Sequence, residues 1–298
     1  MKPRKACMST AALFAVMLFL ARALFPAVVW AEEPQPDPAP AQLKAKTLEA
    51  FDHYVQLTQA RHDDEVRHPE QFLWVDALPE AQRQEAYAQL RQGLVTIERL
   101  HTLDHGKPIR CPNGLIHHWV AVLFIPGATL EQTLSLVKDY DHHSTYYAPD
   151  VRRSKILEHL GDEFKVFLRF QRKKLVTVVL NTEHEVRYFP VDATRAHSRS
   201  VMTRVAKVEN NDMPDEREKP AGQDGGYLWG MNNWWRFVQR DGGTYVQCES
   251  ASLTRDIPAG LGWLIGPFVN SIPRETLTAT LNATRNALTK KTAVSAAK

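Results

Sequence analysis

Twelve histidines in 298 residues are the first place to look for chemistry. His117 and His118 are adjacent, and neighbours in a strand point to opposite faces, so these two cannot share an ion. His142 and His143 follow Asp139 and Asp141, a spacing that permits a carboxylate–imidazole site. No second ligand pair at zinc spacing accompanies them, so no metal and no other cofactor is expected. His184 is the lone imidazole on the face that strand alternation turns inward and is the best acid–base candidate. Catalysis there would need a carboxylate such as Glu249 or Asp256 within hydrogen-bond reach, and the sequence places neither. A histidine satisfied within the core is the plainer reading. Arg255-Asp256 ahead of Ile257-Pro258 reads as a structural pair at a strand end, and no nucleophile elbow surrounds any Ser or Cys. No catalytic residue is assigned.

The elements that must position these residues change character along the chain. Residues 43–60 carry Leu48, Phe51 and Val55 at helical spacing. Pro79 opens a second helix with Tyr87 and Leu90 on its apolar face, and Gly93 is placed to end it. A short strand over 94–100 follows, then a longer one over 115–125. Thr129 to Lys138 reads as a short helix, with Thr129 and Gln132 forming a capping box. Strands are expected over 155–158, 164–171, 175–188, 197–207, 227–239 and 244–254, with turns at Gly161-Asp162 and Asp241-Gly242-Gly243. Residues 209–226 form a polar, acidic insertion expected to be mobile. A final helix over 273–288 presents Leu277, Leu281, Thr284 and Leu288 on one stripe. There is no βαβ alternation and no glycine-rich phosphate loop, which excludes Rossmann and P-loop architectures.

Composition narrows the classes further. Apolar residues make up 44% of the chain, too many for a disordered protein, and three cysteines cannot build a disulfide framework. Four of the 37 basic residues, Lys2, Arg4, Lys5 and Arg22, precede Ala31. Without them the basic and acidic counts nearly cancel, which gives no electrostatic argument for a nucleic-acid partner. A basic start, an apolar run from Ala11 to Leu20 and a small residue at Ala31 read as a signal peptide over residues 1–31. An uncleaved anchor is the alternative, made costly by Arg22. Residues 32–41 are proline-rich and read as an extended linker. The mature chain is therefore expected outside the cytoplasm, periplasmic or secreted, with a helical extension over 42–93, the main domain over 94–290 and a disordered tail over 291–298. Whether Cys111 and Cys248 pair there, and in what oligomeric state the chain exists, is left open.

Three stretches carry a resemblance to a known fold. They are Phe124-Ile125-Pro126-Gly127-Ala128-Thr129, then Leu136-Val137-Lys138-Asp139-Tyr140-Asp141, then Tyr146-Tyr147-Ala148-Pro149-Asp150-Val151. Trp235-Arg236-Phe237, the turn after it and the strand into Arg255-Asp256-Ile257-Pro258 extend the pattern. Order and spacing resemble the START-like (SRPBCC) superfamily, which includes polyketide cyclase/dehydrase and coenzyme Q-binding proteins. The resemblance covers about residues 94–290. It implies an α+β helix-grip fold, with a curved antiparallel sheet around a long C-terminal helix. It also implies an apolar cavity for a lipid, sterol, quinone or polyketide-like ligand. The helical segment 42–93 and the insertion 209–226 fall outside that pattern.

Strand alternation then nominates the cavity wall. Thr182 and His184 share a face with Val178, Leu180 and Val186. Val166, Leu168 and Phe170 face inward on the preceding strand. Trp229, Met231, Asn233 and Trp235 share a face opposite Asn232 and Arg236. In strands 197–207 and 244–254 the pattern does not separate two faces. Thr182, His184, Trp229, Met231, Asn233, Trp235, Leu277 and Leu281 are the expected ligand contacts: apolar walls with a few orienting polar groups. The expected function is binding, and carriage, of a hydrophobic small molecule. The alternative is a polyketide cyclase/dehydratase-like enzyme using the same cavity, and a filled scaffold that docks a partner through residues 43–92 is a third reading. Arg172-Lys173-Lys174 at a hairpin tip and the apolar run Trp263–Val269 are candidates for transient membrane contact.

Overall fold

The computed structural model describes residues 43–173, 177–220, 224–257 and 262–296, with the backbone alone for 262–270 and 292–296. The expected signal peptide, the linker, Lys174, residues 221–223 of the insertion and the side chains of Trp263–Val269 lie outside the described residues. Helix α1 (Ala45–Glu65) and helix α2 (Glu80–Arg91) come first. Gly93 ends the second with φ +81°, a left-handed conformation that only glycine adopts freely.

The body is an antiparallel sheet. Its strands are β1 (Thr96–Arg99), β4 (Gly114–Pro126), β5 (Val151–Leu160), β6 (Glu163–Lys173), β7 (Thr177–Pro190), β8 (Arg195–Glu209), β10 (Gly230–Arg240) and β11 (Gly243–Arg255). They run in the order β1-β4-β11-β10-β8-β7-β6-β5. Between the first two, β2 (Leu103–Asp104) and β3 (Lys107–Pro108) make a separate hairpin that the sequence reading did not anticipate. The β10–β11 turn uses Asp241 and Gly242, both at positive φ (56° and 74°), the backbone that a two-residue hairpin needs. Helix α3 (Leu130–Val137) begins at the expected capping box: Gln132 N donates to Thr129 Oγ1 at 3.1 Å, and Thr129 N donates to Gln132 Oε1 at 3.0 Å. A short helix, α4 (His143–Tyr146), leads into β5.

The C-terminal helix α5 spans Gly262–Ala296, 35 residues, and so corrects the expected 273–288 at both ends. Pro273 lies inside it rather than at its start, and the expected tail is largely helical. The Thr276 hydroxyl donates to Ile272 O at 2.8 Å and that of Thr284 to Thr280 O at 3.0 Å. Such back-bonding keeps these hydroxyls within the helix instead of competing with it. Leu277, Leu281 and Leu288 are buried against Ala121, Leu123, Val246 and Cys248 of the sheet. Each burial is worth roughly 1.5–3 kcal/mol. The result is an α+β helix-grip arrangement with two added N-terminal helices.

The polar insertion also departs from expectation, because much of it is tied down. Strand β9 (Arg217–Glu218) pairs with β8 through Val208 and Glu209. Buried Arg169 donates to both Glu216 carboxylate oxygens at 2.9 and 2.8 Å, to Asn181 Oδ1 at 2.8 Å and to Asn211 Oδ1 at 3.1 Å. A run of acidic residues reads as solvated only until its cation is found in a distant strand. Replacing Arg169 with Ala is expected to loosen this strap. Hydrogen exchange should accelerate over residues 209–220 while the amides of β4 and β11 keep their protection. Unchanged exchange over 209–220 would show that strand pairing alone holds the segment.

Candidate functional site

The sheet has two covered faces, and alternation assigns each side chain to one. The inner face meets α5: Ala121, Leu123, Ile125, Val166, Val186, Tyr188, Phe237 and Val246 form one core with Leu277, Leu281 and Leu288. The outer face meets the N-terminal helices, through Val122, Phe124, Val238 and Tyr245 toward α2, and through Trp234, Ala251 and Leu253 toward α1. Thr182, His184, Met231, Asn233 and Trp235 all fall on inner-face positions of their strands. Leu277 and Leu281 lie in the packed core under the same helix. Trp229 does not join them. It precedes β10, so the alternation counted from Tyr227 fails there. Its ring packs with Phe51, Tyr54 and Val55 of α1, and its indole N–H points to Asp224 at 3.4 Å. It is removed from the inner set.

Among the described residues, the inner face is sealed at one end and incompletely covered at the other. Val166, Val186, Phe237 and Val246 are fully buried, whereas Leu168, Phe170, Val178, Met202, Met231 and Trp235 keep partial exposure. The sealed end is closed by phenols. Tyr140 O–H donates to the Tyr188 hydroxyl oxygen at 2.8 Å, Tyr188 O–H donates to Val137 O at 3.2 Å, and Tyr147 OH lies 3.1 Å from Thr284 Oγ1 on the helix. Across the middle, Ser200 and Ser250 are the register partners of Asn233 on its two neighbouring strands. The structure thus resolves the faces of the two strands whose sequence pattern did not. Among the described residues none of these three side chains has a hydrogen-bond partner. Arg172, beyond Phe170 on β6, bridges Asp150 (2.9 Å) and Thr276 of α5, and so pins the helix over this end.

His184 is 2% exposed and Thr182 0%, and the two are joined at 2.9 Å. Burial pushes the His184 imidazole down to about 4, so it is neutral at pH 7. The carboxylate partner that catalysis would need is elsewhere. Glu249 is on the outer face, and Asp256 follows the end of β11, where its carboxylate takes the Ile257 N–H at 2.7 Å. The other histidines separate as well. His117 meets Thr254 Oγ1 at 3.0 Å on the inner face, while His118 points outward. His142 pairs with Asp139 at 2.7 Å near the surface, and His143 is buried with Nε2 donating to Val137 O at 3.1 Å.

The outer face holds a cluster the sequence reading missed. The Glu249 carboxylate, fully buried, takes Nε2–H from His118 at 2.7 Å and a guanidinium contact from Arg61, with His62 Nε2 at 3.1 Å. His118 Nδ1 in turn accepts from Tyr54 O–H at 2.8 Å, whose oxygen accepts the Thr102 N–H at 2.8 Å. Buried Arg236 donates to Phe72 O, His62 Nδ1 and Glu65. An arginine can only donate, so His62 carries its proton on Nε2, facing Glu249. The carboxyl is held well below the usual range, against its own burial, by His62, His118 and Arg61. The one available signal was charged residues, Arg236 and Glu249, inside strands otherwise rich in buried apolar residues. This cluster fastens α1 to the sheet. A cleft of about 670 Å³ beside it, between Asp76, Arg83, Tyr87 and Arg240, has its charges already matched: Arg240 reaches Asp76 at 2.9 Å.

No family model matches the chain, and no curated protein matches it. Among solved structures it is similar to a protein of Thermus thermophilus at 15% identity, covering 58% of this chain and 97% of that one, with a TM-score of 0.43. A STAR-related lipid transfer protein fragment from Xanthomonas axonopodis is 15% identical over 64% of this chain and 98% of its own, at a TM-score of 0.42. The Zhui aromatase/cyclase from a Streptomyces species is 12% identical over 60% and 96%, at 0.39. What carries the fold assignment is the sheet and helix described above: an α+β protein with a helix-grip arrangement.

Proposed function

We propose that the chain binds a hydrophobic small molecule, a lipid, quinone or isoprenoid-like compound, between the inner face of the sheet and the N-terminal half of α5. One observation carries this. Apolar side chains in the middle of a covered face, Leu168, Phe170, Met202 and Met231, keep exposure that the same face loses entirely a few residues away. Interdigitated cores do not leave such surface open without a guest. Asn233, Ser200 and Ser250 are the polar groups that would orient it. At about 25 cal/mol per Å², burial of a long chain supplies affinity without covalent chemistry. The N-terminal basic and apolar segment supports export, and with it carriage of the guest outside the cytoplasm. The apolar run opening α5 supports brief membrane contact during loading. The cyclase-like reading is disfavoured because, among the described residues, His184 has no acidic partner on its face of the sheet.

The test is mass spectrometry of the protein purified without detergent, native first and then on its organic extract. A stoichiometric guest, recovered chemically unchanged after incubation, is the expected result. Conversion of the guest would favour the enzyme, and no guest after exposure to total membrane lipid would sink the proposal. Met231→Trp adds bulk to the open part of the wall and is expected to cut bound guest about tenfold or more while the fold persists.

A further inference from the structure

Among the described residues, nothing uses the acceptor that His184 carries. The Thr182 hydroxyl donates to Leu168 O at 3.1 Å. It has one proton, so toward His184 it can only accept, and the 2.9 Å contact fixes the imidazole proton on Nε2. Nδ1 is then a bare lone pair. It is buried and has no hydrogen-bond partner. The side chains at the paired positions of the flanking strands are Val166 and Met202, and the Phe170 ring stands edge-on at 6.4 Å. None of them has a proton to give. A buried acceptor without a donor is a standing cost of the empty site.

We infer that the guest carries a hydroxyl group: an alcohol or phenol whose O–H donates to His184 Nδ1 while its hydrocarbon body lies against Phe170, Met202 and Met231. This rests on the binding reading above and sharpens it. A ketone, ether or quinone brings only acceptors, and would set an oxygen lone pair against that of the imidazole. A hydroquinone fits where its quinone does not. Thr182 is the positioning residue, because its bond to Leu168 O selects which nitrogen is bare.

Matched probes test this: 1-dodecanol, 2-dodecanone and dodecane, together with one long-chain hydroquinone and its quinone, measured by displacement of a fluorescent fatty probe. The donor-bearing member of each pair is expected to bind roughly five- to tenfold tighter, the worth of one buried hydrogen bond. His184→Leu should erase that preference, and His184→Gln, which restores an acceptor, should recover part of it. Independently of any variant, the ¹⁵N spectrum of the free protein should show Nδ1 unprotonated. Dodecanol, and not dodecanone, should move it. Equal affinities within the pairs, a preference surviving His184→Leu, or a protonated Nδ1 would overturn the inference and leave the binding reading standing. If no probe and no membrane lipid binds at all, both fall.

Discussion

Glu249→Leu is expected to destabilise the protein by about 3–5 kcal/mol, the usual result of removing one partner from a buried ion cluster. The size follows from what is left behind. His62, His118 and Arg61 all converge on this carboxylate, and Arg236 sits one link away through His62. Three of those groups are buried nearly completely, His62 at 3%, His118 at 2% and Arg236 at 1% exposure, and cannot turn to water instead. Arg61 and Arg236 keep Glu65 at the cluster's edge, which holds the loss below complete unfolding. Urea denaturation of wild type and variant checks the figure, with a loss below about 1 kcal/mol contradicting it. A mild Arg61→Lys change separates charge from geometry. Most stability should survive it if the charge matters, and little if the forked contact to Glu65 and Glu249 is essential. The damage should show in α1 first, because the cluster joins Arg61, His62 and Glu65 of that helix to strands β4, β10 and β11.

How much of this could be read in advance depends on range. Local signals held: the Thr129/Gln132 capping box, the Asp241-Gly242 turn and the Gly93 helix end each depend on residues within one turn of one another. Alternation correctly put Thr182 and His184 on the buried face of β7, since neighbours alternate whatever lies above them. It failed at Trp229, where the strand had not yet begun. It was silent for β8, where a bulge at Thr203, opposite Glu183 and His184, brings Ser200 and Val205 onto one face although simple counting puts them on opposite faces. The start of α5 was misplaced because prolines are read as helix openers, and Pro273 is interior. What stayed hidden was the long-range polar pairing. Arg61 and Glu249 are 188 residues apart, Arg169 and Glu216 47 apart, and no periodicity relates them. The insertion therefore looked mobile, and the cluster under α1 was invisible.

The protein is expected to unfold in mild acid, with a midpoint near about pH 5, before most carboxylates titrate. Histidines set this. Burial, first among the causes, pushes His117, His143, His184 and His197 each down to about 4, against an ordinary value of 6.5, and lowers His62 as well. Above pH 6.5 each is neutral in both the folded and the unfolded chain and contributes nothing to the slope. Between 6.5 and 4 the unfolded chain takes up protons that the folded one refuses, so stability falls as pH falls, and it levels off below 4. Each such group contributes up to about 1.4 kcal/mol per pH unit, so the four at about 4 approach about 5 kcal/mol per unit in the middle of the window. A domain with the usual ~5–15 kcal/mol of stability does not survive much of that. Glu249 acts in the same direction but later. Its carboxyl is held below 4.5, so its contribution is intact above that value and is lost as pH falls through the depressed one. Urea midpoints measured from pH 7.5 to 4.5 decide the matter, and a flat profile down to pH 5 would refute it. His143→Phe, whose ring can keep the contacts to Tyr140 and Tyr147, should remove about a quarter of the slope.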